Sequence, residues 1–329
     1  MAAMDIVCLG EIILDMFASE TGKDFSTVSA FIPVAGGAPA NVAVAAARLG
    51  AKSAFIGKAG EDAFGRRLEA VLKSYGVDTR GMRFDTRYRT TLNFMTLPDA
   101  NRTEMLFYRN PGADMLLDPG ELDRGLLAET AIYHFGSVSL AAEPCRSATL
   151  EAARAARAAG ATVSFDVNYR PGLWDNERHA KAEISSALAL ADIVKVNEAE
   201  LLLLSGTEDP EKGCGRITEK GPALCVATLG PRGSAWATGS GAGTAPGFAV
   251  EAVDATGCGD AFMAALLVRI LPDRAGLRPA LAGEKLRQSV RWANAAGALT
   301  ARKKGVMSAL PDSREVDALA GTPIQSAPA

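Results

Sequence analysis

The stretch D254-A-T-G-C-G-D-A-F262 sets glycines at 257 and 259 between two aspartates. It runs straight into an apolar pattern at helical spacing, Phe262, Met263, Leu266, Leu267 and Ile270. Glycines there let consecutive backbone N–H groups turn outward, and a bare helix N-terminus that carries them attracts an anion. Asp260 is the odd member of the set. A carboxylate among those N–H groups repels a resting phosphate, but it suits a base that takes the proton of a hydroxyl attacking that phosphate. The alternative at this position is a helix-capping aspartate, worth about 0.5–2 kcal/mol. Cys258 lies between the glycines, where the helix dipole favours a thiolate and Asp260 disfavours one; the other reading is a small, inert spacer.

Other polar residues fall at matching places. G36-G-A-P-A-N41 is a second Gly-rich turn leading into a helix, and Asn41 offers an amide donor and acceptor to hydroxyls. Asp15 closes the G10-E-I-I-L-D15 run and adds a carboxylate, a ligand for vicinal sugar hydroxyls. D166-V-N-Y-R170 and N197-E-A-E200 each follow a strand-like run, so their side chains stand at the C-terminal ends of parallel strands, where α/β ligand sites form. Arg170 can neutralise phosphate, and Glu200 can hold Mg²⁺ through water. T228-L-G-P-R-G233 is a third glycine turn after a strand. Singly, each reads as a turn or a cap; together they describe a phosphotransferase. Both common phosphate motifs are missing. The G-K pairs at Gly22 and Gly57 lack a following Ser or Thr, and no G-x-G-x-x-G follows the first strand.

The elements that position these residues alternate. Ile6 to Leu9, Ala54 to Gly57, Ile132 to Gly136, Thr162 to Asp166, Ile193 to Val196 and Leu224 to Thr228 read as strands. Asn41 to Leu49, Phe64 to Tyr75 and Pro144 to Ala159 read as helices between them, which is the pattern of an α/β parallel sheet with helices on both faces. Thr90 to Arg109 alternates with period two on either side of Pro98 to Asn101, as a β-hairpin does, and Phe25 to Val34 is a second extended candidate. These pieces are expected to form a small separate sheet, the alternative being extra strands of the main one. The closing residues 321–329 are expected to be a disordered tail.

Composition narrows the partners. The 329 residues carry a formal net charge of −3 with both signs mixed along the chain, which points to a small molecule rather than nucleic acid. Five cysteines without a C-x-x-C pair suit a reducing cytoplasm, and neither His134 nor His179 sits at a metal-ligand spacing. Asp5, Glu11 and Asp15 interrupt the N-terminal apolar run, so neither a signal peptide nor a membrane span is expected.

The pair G36-G-A-P-A-N41 and D254-A-T-G-C-G-D260 resembles the two signatures of the ribokinase-like (PfkB) sugar kinases, and the resemblance runs from about Asp5 to Leu310. Between them, L106-F-Y-R-N-P-G-A-D-M-L-L117 and Y133-H-F-G-S-V-S-L-A-A-E-P-C-R-S147 are similar to fructokinases. The resemblance implies one kinase domain over residues 4–320. It would be a Rossmann-like, doubly wound sheet carrying a small β-sheet lid built from segments about 15–35 and 86–112. It implies ATP as donor, Mg²⁺, often a monovalent cation such as K⁺, and a homodimer as the expected assembly.

On that resemblance Asp260 is the base, and the N–H groups of Gly257, Cys258 and Gly259 form the anion hole, assisted by Arg170. Asp15, Gly36, Gly37, Asn41 and Arg109 face the sugar, with Arg109 carried on the lid hairpin. Asn168, Arg170, Asn197, Glu200 and Thr228 serve phosphates and metal, Gly230, Gly233 and Asn294 line the nucleotide pocket, and Asp254 and Thr256 lie beside the monovalent cation. Two positions depart from the family pattern: Cys258 replaces an alanine, and Gly112 stands where fructokinases commonly carry serine. The expected reaction is transfer of the ATP γ-phosphoryl to the 6-hydroxyl of fructose. The alternatives are a kinase of 2-keto-3-deoxygluconate or a related sugar acid, and a catalytically silent sugar sensor.

Overall fold

Strand β1 (Met4–Leu9) is the point from which the chain winds both ways. The computed structural model describes residues 3–99, 102–271, 281 and 283–321. After β1 come β2 (Ile13–Ala18), β3 (Phe31–Gly36), β4 (Ser53–Gly60), β5 (Asp78–Asp85), β6 (Leu92–Asp99), β7 (Arg102–Tyr108) and β8 (Thr130–Gly136). They are followed by β9 (Thr162–Asp166), β10 (Ile193–Asn197), β11 (Leu224–Thr228), β12 (Gly233–Thr238) and β13 (Gly241–Pro246). Among the described residues the main sheet has nine strands in the order β13-β12-β11-β10-β9-β8-β1-β4-β5, parallel except for the β12 and β13 edge. β1 is therefore flanked by β4 on one side and β8 on the other, a topological switch point, and α/β sheets open a crevice at the strand ends there.

The helices are α1 (Ala38–Arg48), α2 (Ala63–Ser74), α3 (Arg124–Glu129), α4 (Cys145–Ala158), α5 (Glu177–Leu188), α6 (Glu198–Ser205), α7 (Pro210–Thr218) and α8 (Cys258–Ile270). Two more follow, Gly283–Ala301 and Ser313–Ala320. Strands buried on both sides alternate their side chains between two cores. Ile6 and Cys8 of β1 join α1, α2, α8 and the last two helices, while Val7 and Leu9 join α3 to α7. The sequence-predicted α/β sheet with helices on both faces is thus the architecture observed.

The helix starts are not alike. Asp62, Asp123, Asn176, Asn197 and Asp209 each cap a helix by accepting backbone N–H bonds, as N-cap side chains do. α1 and α8 begin instead at Gly37 and Gly257, and neither has a side-chain cap. The first N–H of α1, that of Ala38, goes to the Glu11 carboxylate at 2.9 Å, and that of α8, Cys258, goes to the Ala255 carbonyl at 3.3 Å.

β2, β3, β6 and β7 form a separate four-stranded sheet in the order β3-β2-β6-β7, so the hairpin does not extend the main sheet. The hairpin register pairs Leu92 with Tyr108 and Asn93 with Phe107; its turn residues 100–101 lie outside the described residues. The second extended candidate is shorter than its alternation predicts. Only Phe31–Gly36 pairs as a strand, because the Asp24 carboxylate accepts the Ser26 N–H (3.0 Å) and the Ser26 and Thr27 hydroxyls (2.6 and 2.9 Å), fixing a turn. Of the expected tail, residues 322–329 lie outside the described residues. Among the described residues no helix is long and apolar enough to cross a membrane.

Candidate active site

A cavity of about 700 Å³ opens at the carboxyl ends of the central strands and is walled on the other side by the small sheet. The small-sheet wall is built on the cross-strand pair of Asp15 and Asn93. Asn93 Nδ2 donates to Asp15 Oδ1 at 2.8 Å, and both side chains are buried and line the cavity. Burial outweighs that hydrogen bond and pushes the Asp15 carboxyl up to about 6. A Cβ at position 36 would meet Asp15 Oδ2 at 1.9 Å, so glycine there is what admits the carboxylate. Gly37 has φ +105°, and a Cβ on it would lie 2.4 Å from the Glu11 carbonyl oxygen, so only glycine can start α1 this close to the end of β1.

Glu11 and Asn41 complete this wall. Glu11 accepts the Ala38 N–H at 2.9 Å through Oε1, and its carboxyl is pushed up to about 7, by burial above all. Asn41, in the first turn of α1, donates from Nδ2 to Asp260 Oδ2 at 2.8 Å. Glu11 Oε2, Asn41 Oδ1 and Asn93 Oδ1 are buried without a hydrogen-bond partner among the described residues.

The opposite wall is made by the N-terminus of α8. Gly257 is left-handed (φ +81°), a conformation that costs glycine little, and Thr256, Gly257, Gly259 and Asp260 all line the cavity. Asp260 is 9% exposed. Burial and then Asp166 raise its carboxyl to about 6, against the Asn41 hydrogen bond and the charges of Lys195 and Arg170. Lys195 lies beneath: Nζ donates to both Asp166 oxygens at 2.8 Å, and a Cβ on Gly259 would lie 3.2 Å from that nitrogen. An ammonium thus backs the glycine loop. Asn168 also lines the cavity and holds φ +38°, a conformation few residues but asparagine tolerate. Arg170 lines it too and influences both Asp15 and Asp260 electrostatically.

Toward the far end, Asn197, Thr228 and Gly230 line the same cavity. Asn197 Oδ1 accepts the Glu200 N–H at 2.9 Å. The Glu200 oxygens accept the Tyr169 and Asn197 N–H groups at 2.8 Å each, so Glu200 sits one layer behind the lining. Its carboxyl is pushed up by burial, with Lys195 opposing. Among the described residues no cluster of three acidic, His or Cys side chains stands ready to cage a metal. One buried carboxylate beside the cavity fits a Mg²⁺ that keeps its waters and substrate phosphates as ligands, and does not fit an all-protein site.

Other expected site residues stand outside the lining. Asn294 donates from Nδ2 to the Ala245 and Pro246 carbonyls at 3.1 and 3.3 Å, and Gly233 (φ +99°) would press a Cβ to 2.1 Å of the Ala245 carbonyl; both hold the β13 edge in place. Asp254 accepts the Thr256 and Gly305 N–H groups at 2.9 and 3.3 Å. Cys258 is partly buried, and burial, followed by Asp254 and Asp260, pushes its thiol up to about 12, so the dipole's pull toward thiolate loses.

Arg109, expected to face the sugar, instead turns to Asp114. Nε and Nη2 donate to Asp114 Oδ2 at 2.7 Å, with the arginine side chain 4% exposed. The same corner accounts for Gly112. Thr91 Oγ1 donates to Asp114 Oδ1, and a Cβ at position 112 would lie 1.8 Å from that hydroxyl. Thr91 therefore delivers a hydroxyl into the space where a serine side chain at 112 would stand.

Lys195, Asn93 and Glu11 are among the cavity residues that escaped the sequence reading as site residues. A lysine inside the apolar strand I193-V-K-V-N197 is itself a signal, since a buried charge requires a partner. Glu11 stood in the quoted G10-E run, and Asn93 fell on one face of an alternating strand.

Known proteins resemble this chain in sequence and in fold. The pfkB family carbohydrate kinase pattern matches residues 3–313. Fructokinase-1 of Oryza sativa subsp. japonica is 44% identical over 312 residues, covering 94% of this chain and 96% of the relative. Among solved structures, a fructokinase with bound ATP from Xylella fastidiosa superposes with a TM-score of 0.87 at 33% identity, covering 96% of this chain and 97% of that one. A fructokinase from Vibrio cholerae O395 in a fructose, ADP and calcium ion bound form superposes with a TM-score of 0.84 at 33% identity, covering 96% and 98%.

Proposed function

Because the chain belongs to the pfkB family of carbohydrate kinases, with the ribokinase-like fold, we propose that it transfers the γ-phosphoryl group of ATP to the 6-hydroxyl of fructose, with Asp260 as the base. The observation that carries this reading is the position of Asp260. Its carboxylate lies where the uncapped N-terminus of α8 meets the polyol-facing wall, and Asn41 holds it from that wall at 2.8 Å. A hydroxyl bound against Asp15 and Asn41 can give its proton to Asp260 while its oxygen attacks a phosphorus held over Gly257 to Gly259.

Each residue then has a task. Asp260, ionised above about pH 6, accepts the proton as the O–P bond forms, a contribution typically of about 10²–10⁴-fold. The N–H groups of Gly257, Cys258 and Gly259 meet the charge that grows on the transferring group, reinforced by Arg170 and by Lys195 from below. Asn168, Asn197, Thr228 and Gly230 hold the triphosphate and nucleotide, with Gly233 and Asn294 shaping the wall behind. When bound, Mg²⁺ would supply charge neutralisation at the phosphates, and Glu200 would hold it through water. Asp254 and Thr256 would hold a monovalent cation such as K⁺. Apolar Ile13, Met95, Met105, Phe107 and Leu173 around the sugar exclude water, so the sugar rather than solvent receives the phosphoryl.

Fructose is favoured over 2-keto-3-deoxygluconate by the charge of the sugar end. Glu11, Asp15 and the amides of Asn41 and Asn93 stand there, and Arg109 is already committed to Asp114. A carboxylate substrate would meet the Glu11 and Asp15 carboxylates, a repulsion that Arg170 nearby opposes. Coupled measurement of ADP release with fructose and then with 2-keto-3-deoxygluconate tests the assignment. Turnover of fructose at least tenfold more efficient is expected, the reverse order would transfer the chain to sugar acids, and no turnover with any sugar would make it a silent relative.

A further inference from the structure

We infer that Asn93 is a specificity-determining residue, whose amide oxygen accepts a hydrogen bond from a sugar hydroxyl other than the one that reacts; this rests on the sugar-kinase reading above. The amide is held by one end only. Its Nδ2 donates to Asp15 Oδ1 at 2.8 Å, and this contact fixes the orientation, because a flipped amide would press its oxygen against the carboxylate. Oδ1 is then the atom left over. It is buried, on a side chain only 4% exposed that lines the cavity, and has no partner among the described residues. A buried acceptor without a donor is costly, and native structures rarely keep one without use.

The neighbours cannot supply the donor. Phe107 stands opposite Asn93 across the hairpin, and Met95 follows it on the same face; both line the cavity and neither has a polar hydrogen. The arrangement also repeats. Asn41 gives its Nδ2 to Asp260 as Asn93 gives its own to Asp15, and each leaves an unpartnered amide oxygen beside a carboxylate. Two acceptor pairs in one cavity fit a neutral polyol that presents several hydroxyl hydrogens. Asp15 and Asn93, directly opposite on adjacent strands, suit two neighbouring hydroxyls at once. A 3-deoxy substrate lacks one member of such a diol. A sugar carboxylate at this place would bring negative oxygens against acceptors.

The test measures kcat/KM for ATP-dependent phosphorylation of fructose and of 1-deoxy-, 3-deoxy- and 4-deoxyfructose by the wild type, Asn93→Ala and Asn93→Ser. The wild type should lose about tenfold or more on the analogue that lacks the hydroxyl held by Asn93. Asn93→Ala should lose about as much on fructose and treat that analogue like fructose to within about threefold, with KM for ATP unchanged. Asn93→Ser, retaining a shorter acceptor, should recover part of the discrimination. If Asn93→Ala lowers all four sugars by one common factor, or none of them, the specificity role is overturned while fructose phosphorylation stands. If the wild type releases no ADP with fructose, the kinase reading falls and this inference falls with it.

Discussion

On the small-sheet side of the cavity the polar atoms are acceptors: the carboxylates of Asp15 and Glu11 and the amide oxygen of Asn93, set among Met95, Met105 and Phe107. On the main-sheet side they are donors and cations, namely the α8 N–H groups, Arg170 and the Lys195 ammonium bound to Asp166. The two sides differ in construction as well. Acceptors come from strand positions paired across a sheet, whereas donors come from a helix end left without a cap. A sugar offers hydroxyl hydrogens and a triphosphate offers charge, so each half is built for one reactant, and Asp260 stands on the seam with Asn41 reaching it from the other side.

Removing the seam should cost most. Asp260→Asn is expected to lower kcat by about 10²–10⁴-fold, with KM for ATP little changed, since the base acts only as the hydroxyl attacks. Stability should move the other way. The folded carboxyl, at about 6, lies above its ordinary value of 3.8, so its contribution favours folding only at low pH and is lost as pH rises through 6. At pH 7.5 the ionised group opposes folding, and the asparagine should raise the thermal midpoint by the equivalent of about 1–3 kcal/mol, a gain that shrinks toward pH 4. In the wild type, kcat/KM should fall about tenfold per unit below pH 6, more steeply if Asp15 must also be ionised. A flat profile down to pH 5 would remove Asp260 from the chemistry.

The donor half can be weakened from below. Lys195→Met leaves Asp166 buried and unpaired, which typically destabilises a fold by about 3–5 kcal/mol. It also withdraws the charge that backs Gly259, so kcat is expected to drop about 10- to 100-fold. The double variant Lys195→Met with Asp166→Asn separates the two effects. Stability should largely return while kcat stays low, and full recovery of both would make the pair purely structural.

These differences also explain what the sequence could tell. The glycine turns, Asp260, Asn41 and Asp15 were legible because each sits at a break between a strand and a helix, where backbone chemistry leaves a mark in residue type. The pairing of Arg109 with Asp114 was not legible, because the direction of a side chain after a strand depends on what waits nearby. Lys195 and Asn93 lie inside strands, and only the fold shows that Lys195 meets Asp166 from the neighbouring strand, or that Asn93 meets Asp15. The length of β3 was overestimated for a local reason, the Asp24 turn, that alternation does not reveal.

Arg109→Ala sharpens the acceptor half with a smaller kinetic effect. The guanidinium is paired with Asp114 and acts electrostatically on Glu11 of the cavity, so its loss should reach the sugar through Asp114, Thr91 and Glu11. KM for fructose is expected to rise by about three- to tenfold with KM for ATP unchanged, alongside a lower unfolding midpoint from the stranded Asp114. Equal losses for both substrates would show that this corner supports the whole cavity rather than its sugar end.

The smallest effect belongs to Cys258, the one side chain of the α8 loop that belongs to neither half. Its backbone N–H donates to the Ala255 carbonyl at 3.3 Å, and its sulfur turns back toward the Asp254 carbonyl at 3.9 Å. A helix N-terminus lowers a thiol's proton affinity by stabilising negative charge, whereas burial and two nearby carboxylates raise it, and here the second set wins and pushes the thiol up to about 12. At pH 7.5 the thiolate fraction is then of order 10⁻⁴ or less, and a thiol in that state alkylates slowly. Cys258→Ala leaves the N–H group in place, so kcat should stay within about twofold of the wild type. Under iodoacetamide the two proteins should lose activity at the same rate, with or without ATP and Mg²⁺. Faster loss in the wild type, slowed by the nucleotide, would mean that the loop opens enough to expose the sulfur, and the donor half would then be less rigid than its buried Lys195–Asp166 support implies.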